Sequence, residues 1–145
     1  MPGWVNDGVA AYAKRLPRHI QVEVVEIPPG NRSGQRSIEA AMGKEAEQLL
    51  KRAASADLTI ALDERGKPRS STELAAEMQG WLNHVPHVAL LIGGADGLAE
   101  NCKREAGGLW SLSTLTLPHG LVRIVLVEQL YRAWTILDGH PYHRS

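Results

Sequence analysis

The stretch that decides the fold runs from Trp110 to Arg144, WSLSTLTLPHGLVRIVLVEQLYRAWTILDGHPYHR. It starts with leucines that alternate with Ser and Thr, and it turns at Pro118-His119-Gly120. A strongly apolar helix is predicted next, followed by a short tail of His, Tyr and Arg. The order of these parts predicts a ligand-binding segment, a buried helix and a substrate-contacting arm in one unit.

Length and composition predict a single globular domain that spans residues 1–145. Of the 145 residues 43% are hydrophobic, and no apolar run approaches the roughly 20 residues that a membrane helix needs. The first residues, MPGWVNDG, lack the basic and apolar regions of a signal peptide. Cys102 is the only cysteine, which excludes an internal disulfide. We therefore expect a cytoplasmic protein.

The charge balance does not by itself predict a polyanionic partner. Lys and Arg number 16, as do Asp and Glu, so the chain has no strong overall field. Two short basic segments, Arg32 to Arg36 and Arg65 to Arg69, could contact phosphates. Each of them alone is more typical of a solvated turn.

Hydrophobic periodicity predicts helices that alternate with strands. The central strands are apolar throughout, as in a parallel α/β sheet covered by helices on both faces. Ser70 and Glu73 have the spacing of a capping box, and polar or Pro/Gly-rich loops are expected at 28–37 and 63–66. The predicted helices are Trp4–Leu16, Ile38–Ala53, Glu73–Leu82, Leu98–Ala106 and Leu121–Leu137, and the predicted strands are Ile20–Ile27, Leu58–Leu62 and Val88–Ile92.

Open α/β sheets bind ligands beyond the carboxyl ends of their strands. Three such ends are predicted here, at Leu62, at Gly93-Gly94 and at Ser113–Leu117. A glycine pair lets backbone approach a ligand closely, although a tight strand-to-helix turn is the commoner reason for one. The segment that begins at Gly93-Gly94 has no dinucleotide-binding fingerprint, and the sequence has no Walker A motif.

The segment SLSTLTL, residues 111–117, has two interpretations. It could be an edge strand with its hydroxyls in solvent, or a loop whose backbone groups recognise a purine edge. Other site types are disfavoured: two histidine pairs are spaced by three residues without further ligands, so we expect no metal site. Cys102 lies in a predicted helix and is more typical of a passive small residue.

The predicted helix Leu121–Leu137 is apolar nearly all round, apart from a stripe of Glu128, Arg132 and Thr135. A central core helix and a subunit interface explain that pattern equally well. Glu128 and Arg132 have i, i+4 spacing and could form an ion pair. The tail that follows would be frayed by default, but Tyr and Arg also suit stacking on an unpaired base and binding phosphate.

Several motifs together resemble those of the bacterial 23S ribosomal RNA pseudouridine-N3 methyltransferases of the SPOUT superfamily. They are IPPGNR, LDERGKP, LLIGGADGL, WSLSTLTLPH, LVRIVLVEQLYRAW and HPYHR, and the similarity covers the whole chain. The resemblance implies a knotted α/β fold, a homodimer, and S-adenosylmethionine as methyl donor. It places the active site at the dimer interface, where the tail of one subunit meets the cofactor pocket of its partner. Carried over by motif, the cofactor contacts would be Leu62, Gly93, Leu112, Ser113, Thr114, Leu115, Thr116 and Leu117.

The implied reaction needs no metal and no covalent intermediate, because the sulfonium methyl group is already activated. The enzyme must align N3 of pseudouridine with the S–CH3 bond and must allow the N3 proton to leave. His119, Tyr142 and His143 are candidates to accept this proton. Arg132 and Arg144 are candidates to stabilise the anionic base.

One departure from the family concerns the first strand. Family members usually have a strand before the MP-x-W motif that begins this sequence, so we expect a sheet that lacks it. Two rival functions stay open: a SPOUT methyltransferase for another RNA, such as a tRNA ribose, or a ribosome-binding protein made inactive by its short N-terminus. The absence of an appended RNA-binding domain favours a large preformed substrate such as the ribosome.

Overall fold

A computed structural model describes residues 2–31, 33, 37–94 and 96–144, without the side chains of residues 143 and 144. The predicted basic residues Arg32 and Arg36 lie outside this part of the chain. The helices are α1 (Gly3–Ala13), α2 (Ser37–Ala53), α3 (Ser71–His84), α4 (Glu100–Glu105) and α5 (His119–Asp138), with a final 3-10 helix at Pro141–Arg144. The strands are β1 (Leu58–Pro68), β2 (Val88–Leu91) and β3 (Gly108–Ser111).

The strands form one sheet in the order β2-β1-β3, and both pairings are parallel. Successive side chains of β1 point to opposite faces, so Ile60 and Leu62 belong to one core and Ala61 to the other. The first core is shared with α3 and α5, and the second with α2 and α4. The prediction of a parallel sheet covered by helices on both faces is confirmed.

Helix α5 is a core helix within one chain. Its residues Leu126, Leu130 and Ala133 belong to the main core, and Val127 packs with Val5 and Val9 of α1. This burial on two sides explains why the helix is apolar nearly all round. An additional subunit interface on α5 stays a prediction.

The predicted strand Ile20–Ile27 is wrong, because this segment lies outside every described helix and strand. Ile20 and Val22 pack against the core, whereas Val24 and Val25 are exposed. The alternation therefore indicated the inward side chains only as far as Val22, and a strand also needs a hydrogen-bonded neighbour. Within the described residues β2 is an edge strand, and a groove of about 1550 Å³ separates it from this segment.

The predicted end of β1 at Leu62 is also wrong, because the strand continues to Pro68. Its register with β3 shifts within it: Trp110 is paired both with Leu62 and with Lys67. The polar residues expected to form a loop are the bulged part of the strand. Gly66 makes this possible, since a Cβ there would lie 2.6 Å from the backbone carbonyl carbon of Trp110.

The bounds of the five long predicted helices and of β2 agree with the structure to within a few residues, whereas β3 at Gly108–Ser111 was not predicted. The capping box at the start of α3 is confirmed: Ser70 Oγ accepts from Glu73 N–H at 3.1 Å, and Ser70 N–H donates to Glu73 Oε1 at 3.0 Å. The edge-strand interpretation of residues 111–117 is wrong, because β3 ends at Ser111 and a loop follows up to α5. No helix in the described residues is long and apolar enough to cross a membrane.

Candidate active site

The sheet register brings three predicted site segments to one edge. Ala61 is level with Leu91 on one side and with Leu109 on the other. Leu62 therefore stands level with the carboxyl ends of β2 and β3, at the point where β1 enters its bulge. Gly93 lies two residues beyond the end of β2, and the 112–117 loop follows β3 directly. This is the edge at which α/β sheets bind ligands.

Gly93 lies in a turn that leaves no room for a side chain. A Cβ at this position would lie 2.4 Å from the carbonyl carbon of Gly97. The turn is closed by a hydrogen bond from Gly97 N–H to the Gly94 carbonyl at 3.1 Å, and Gly97 has a positive φ of 81°. Glycine at 93 is thus required by the tight backbone turn, whichever ligand binds beside it.

The 112–117 loop is shaped by its own hydroxyl groups. Ser111 Oγ donates to the Ser113 carbonyl at 2.7 Å, and Ser113 Oγ accepts from Leu115 N–H at 2.9 Å. Thr116 Oγ1 donates to Glu64 Oε2 at 2.7 Å, which ties the loop to the bulge of β1. Leu112, Ser113 and Leu117 are half-buried, whereas Thr114, Leu115 and Thr116 are exposed, Leu115 by 71%. The serine and threonine hydroxyls therefore order a loop with an exposed apolar tip.

A second cluster joins the tail to α5 through Glu128. Arg132 donates to Glu128 Oε2 from Nη2 at 2.8 Å and from Nε at 3.1 Å, so the predicted i, i+4 ion pair is confirmed. Tyr142 Oη donates to the same oxygen at 2.8 Å. The Tyr142 ring also meets the edge of Tyr131, at a centroid distance of 4.7 Å. The tail is thus docked onto the helix rather than frayed up to Tyr142.

This cluster changes the acid–base properties of both partners of Glu128. Burial, followed by the hydrogen bond to Glu128, raises the pKa of Tyr142 to about 12. The hydrogen bond to Glu128 also raises the pKa of Arg132. Tyr142 consequently keeps its proton at neutral pH, which favours a hydrogen-bond donor, and its predicted role as proton acceptor stays a prediction.

The other predicted catalytic residues are placed separately. His119 is the exposed first residue of α5 and follows the 112–117 loop. His143 and Arg144 belong to the final 3-10 helix, but their side chains are outside the described part of the structure. Arg132 lies 13 residues after His119, about 20 Å further along α5 at roughly 1.5 Å per residue. Within one chain the loop and the tail cluster therefore occupy different ends of the helix.

Two acidic side chains were missed by sequence reasoning as site residues. Glu64 holds Thr116 across 52 positions of the chain, and Glu128 is the shared acceptor for Arg132 and Tyr142. The i, i+4 spacing indicated the Arg132 contact, but no local pattern indicated the other two. In the described residues, no group of three or more His, Cys, Asp and Glu side chains could hold a metal ion.

Comparison with known proteins supplies the family. The family described as "Predicted SPOUT methyltransferase" matches residues 1–143, nearly the whole chain. The chain belongs to the SPOUT methyltransferase family. It is a methyltransferase on the same grounds, since its curated relatives carry that activity in their names.

These relatives of the SPOUT chain share a single name, ribosomal RNA large subunit methyltransferase H. The one from Methylobacillus flagellatus is 47% identical over 145 residues, which cover 100% of this chain and 93% of the relative. The one from Hahella chejuensis is 47% identical over the same shares. The one from Saccharophagus degradans is 49% identical over 144 residues, 99% of this chain and 93% of the relative.

Proposed function

We propose that this SPOUT methyltransferase transfers a methyl group from S-adenosylmethionine to N3 of a pseudouridine in 23S ribosomal RNA. The observation that carries the proposal is the convergence of Leu62, Gly93 and the ordered 112–117 loop at one edge of the sheet. The name of the curated relatives supports large-subunit ribosomal RNA as the substrate. A ribosomal substrate also favours a cytoplasmic location.

The residues at the sheet edge have the chemistry that this methyl donor needs. Leu62, Leu112 and Leu117 offer apolar surface for a purine, and the adjoining loop backbone offers polar groups for its edge. Gly93 allows close approach of the backbone, as the sequence predicts. When bound, S-adenosylmethionine supplies a methyl group on a sulfonium that is already activated for transfer.

A homodimer would complete the site. The cofactor loop and the tail cluster lie at different ends of α5, so one chain alone separates methyl donor and tail. A two-fold partner whose α5 packs in the opposite direction would bring its tail to this loop. We therefore propose that each active site combines the sheet edge of one subunit with the tail of its partner.

Residues of the tail and of α5 have distinct proposed roles. Tyr142 keeps its proton and can donate a hydrogen bond to a carbonyl of the base or to phosphate by exchanging its hydrogen bond to Glu128 for one to the RNA. Arg132, held by Glu128, adds positive charge near a developing N3 anion. His119 is the candidate proton acceptor with a described, exposed side chain. His143 stays a candidate to accept the N3 proton. Arg144 stays a candidate to stabilise the N3 anion.

Calorimetry with S-adenosylmethionine tests the enzyme proposal. We expect binding to the folded wild-type protein and much weaker binding to the Leu115→Ala, Leu117→Ala double variant, with Leu82→Ala as a control at an exposed apolar residue far from the edge. A folded protein that does not bind the cofactor would favour the inactive ribosome-binding protein instead.

Mapping of modified bases tests the substrate. Ribosomes from a strain that lacks this protein should carry a pseudouridine without its N3 methyl group, and the purified protein should restore the methyl group in vitro. Unchanged ribosomal RNA together with a lost ribose methyl group in tRNA would replace the proposed substrate by the second candidate.

A further inference from the structure

Glu45 is the only acidic or basic side chain that is buried in the described part of the chain. It lies in the middle of α2, has 9% of its surface exposed, and has the buried residues Ala41 and Ala46 beside it. A carboxylate in such surroundings destabilises a protein unless hydrogen bonds replace its lost hydration. A buried charge at this position therefore calls for a specific reason.

Glu45 lies between two segments that flank the sheet edge, with a hydrogen bond to one and close packing against the other. Its Oε2 accepts a hydrogen bond from Gly30 N–H at 2.9 Å, across 15 positions of the chain. On the other side its carboxylate faces Gly94, where a Cβ would lie 3.4 Å from Oε1 and 3.8 Å from Oε2. Glu45 thus stands between the segment that ends at Asn31 and the turn that contains Gly93.

Each segment has a glycine where it approaches Glu45, at Gly30 and at Gly94, so neither has a side chain of its own to hold it there. Gly30 lies directly on α2, since a Cβ there would be 2.5 Å from the Cα of Ala41. In the described residues, the Gly93-Gly94 turn is closed by backbone hydrogen bonding between Gly94 and Gly97. A side chain that is held by α2 and packs against Gly94 can limit where such a turn lies.

We propose that Glu45 is a positioning residue of the cofactor pocket, whose carboxylate holds the 28–31 segment and the Gly93-Gly94 turn at a fixed separation. This inference rests on the proposed function, because it assigns the turn to the site of S-adenosylmethionine. Glu45 does not touch the cofactor in this scheme. It acts through Gly94 and Gly30, and the position of Gly93 follows from theirs.

Three substitutions and one control separate positioning from general stability. Glu45→Ala removes the carboxylate, Glu45→Asp keeps its charge but shortens its reach by one methylene, and Glu45→Gln keeps both length and acceptor oxygen. Glu47→Ala, on the exposed face of the same helix, is the matched control. Each protein is studied well below its own midpoint of thermal unfolding.

The first readout is the affinity for S-adenosylmethionine. We expect Glu45→Asp and Glu45→Ala to weaken it about tenfold or more, the factor that one lost charge-assisted hydrogen bond can produce. Glu45→Gln should restore most of the affinity, and KM for ribosomes should stay unchanged in every folded variant. Wild-type affinity in both Glu45→Asp and Glu45→Ala would overturn the proposal, and so would an equal loss in Glu45→Gln.

The second readout is amide hydrogen exchange, which does not require cofactor binding. In Glu45→Asp the amides of Gly30, of Asn31 and of residues 93–97 should exchange faster, whereas those of α5 should not change. Uniformly faster exchange, or none, would overturn the positioning role. If wild-type protein does not bind S-adenosylmethionine while this local change occurs, the proposed function fails and the link between Glu45 and the turn stands. Should Glu45→Ala not fold, Glu45→Asp and Glu45→Gln decide both readouts.

Discussion

Tyr142 is the side chain whose chemistry the structure changes most. Its hydroxyl donates to Glu128 Oε2 at 2.8 Å, next to the guanidinium of Arg132, which lies 4.9 Å from its ring centroid. Burial and the neighbouring carboxylate both disfavour the phenolate, so the pKa of Tyr142 rises to about 12. This arrangement suits a hydrogen-bond donor at neutral pH.

We predict that Tyr142→Phe removes a phenol that titrates near pH 12 instead of at the ordinary value of 10.0. The folded pKa is raised, so this group stabilises the protein fully below pH 10.0 and loses that contribution as the pH rises towards about 12. At neutral pH the substitution should cost about 1 kcal/mol, the usual net value of such a hydrogen bond.

Ultraviolet difference titration of wild type against Tyr142→Phe measures the first effect, and urea unfolding at several pH values measures the second. A difference spectrum that titrates at the ordinary pKa would show that Tyr142 does not dock on Glu128 in solution.

Among the elements, the close approach of the β1 bulge to the backbone of β3 depends on Gly66. We predict that Gly66→Ala lowers the free energy of unfolding by about 1–3 kcal/mol, because its Cβ would lie 2.6–2.8 Å from the backbone of Trp110 and Leu109. Gly80→Ala is the matched control: Gly80 is in the interior of α3 with nothing within 4 Å of its Cβ. This control should gain up to about 1 kcal/mol from helix propensity.

Chemical denaturation of both variants checks this prediction. Equal stability of Gly66→Ala and wild type would mean that the bulge of β1 does not cross the backbone of β3 as closely as described.

The elements differ in how well local sequence predicts them. Helix α3 is predictable because its capping box and apolar period lie within its own residues. The segment 20–27 is not, because Val24 continues its alternation and is exposed, and because alternation leaves the presence of a neighbouring strand open. The bulge at Gly66 needs β3, which is more than 40 positions further along the chain.

The parts of the candidate site also differ in how well local sequence predicts them. Leu62, Gly93 and the 112–117 loop could be predicted together, because carboxyl ends of parallel strands meet at one edge. The contact of Thr116 with Glu64 and that of Glu45 with Gly30 could not, because they join residues distant in sequence. The acid–base character of Tyr142 depends on Glu128, 14 positions away, and no spacing rule indicates this contact.

At the scale of the whole molecule, the groove beside β2 has the size of a β-strand. A strand rises roughly 3.3 Å per residue, lies about 4.8 Å from its neighbour in the sheet and packs about 10 Å from the next layer. Seven residues of strand therefore occupy about 1100 Å³. The groove has about 1550 Å³, and it is lined by the β2 edge, by residues 20–27 and by Pro2. The first strand that the family resemblance implies would therefore fit there, and the knotted path stays a prediction of the same resemblance.

We predict that an extension of about seven strand-forming residues before Met1 raises the midpoint of thermal unfolding by about 5 °C or more, since it would pair the edge of β2. A control extension of the same length with proline at its centre cannot form these hydrogen bonds and should give no such increase. Equal midpoints for the two extensions, by differential scanning calorimetry, would exclude the groove as a strand site.

In the proposed dimer the sheet edge of one subunit works with the tail of its partner. The most direct measurement mixes two inactive chains, Gly93→Ala and a chain that stops after Gly139, under conditions that allow subunit exchange. Each methyl-transfer assay uses ribosomes that lack the modification, and native mass spectrometry counts the mixed dimers.

Half of the dimers should be mixed and each should hold one intact site, so the mixture should regain about a quarter of the wild-type rate. A mixture that forms mixed dimers and stays inactive would contradict the account, as would full activity of the chain that stops after Gly139.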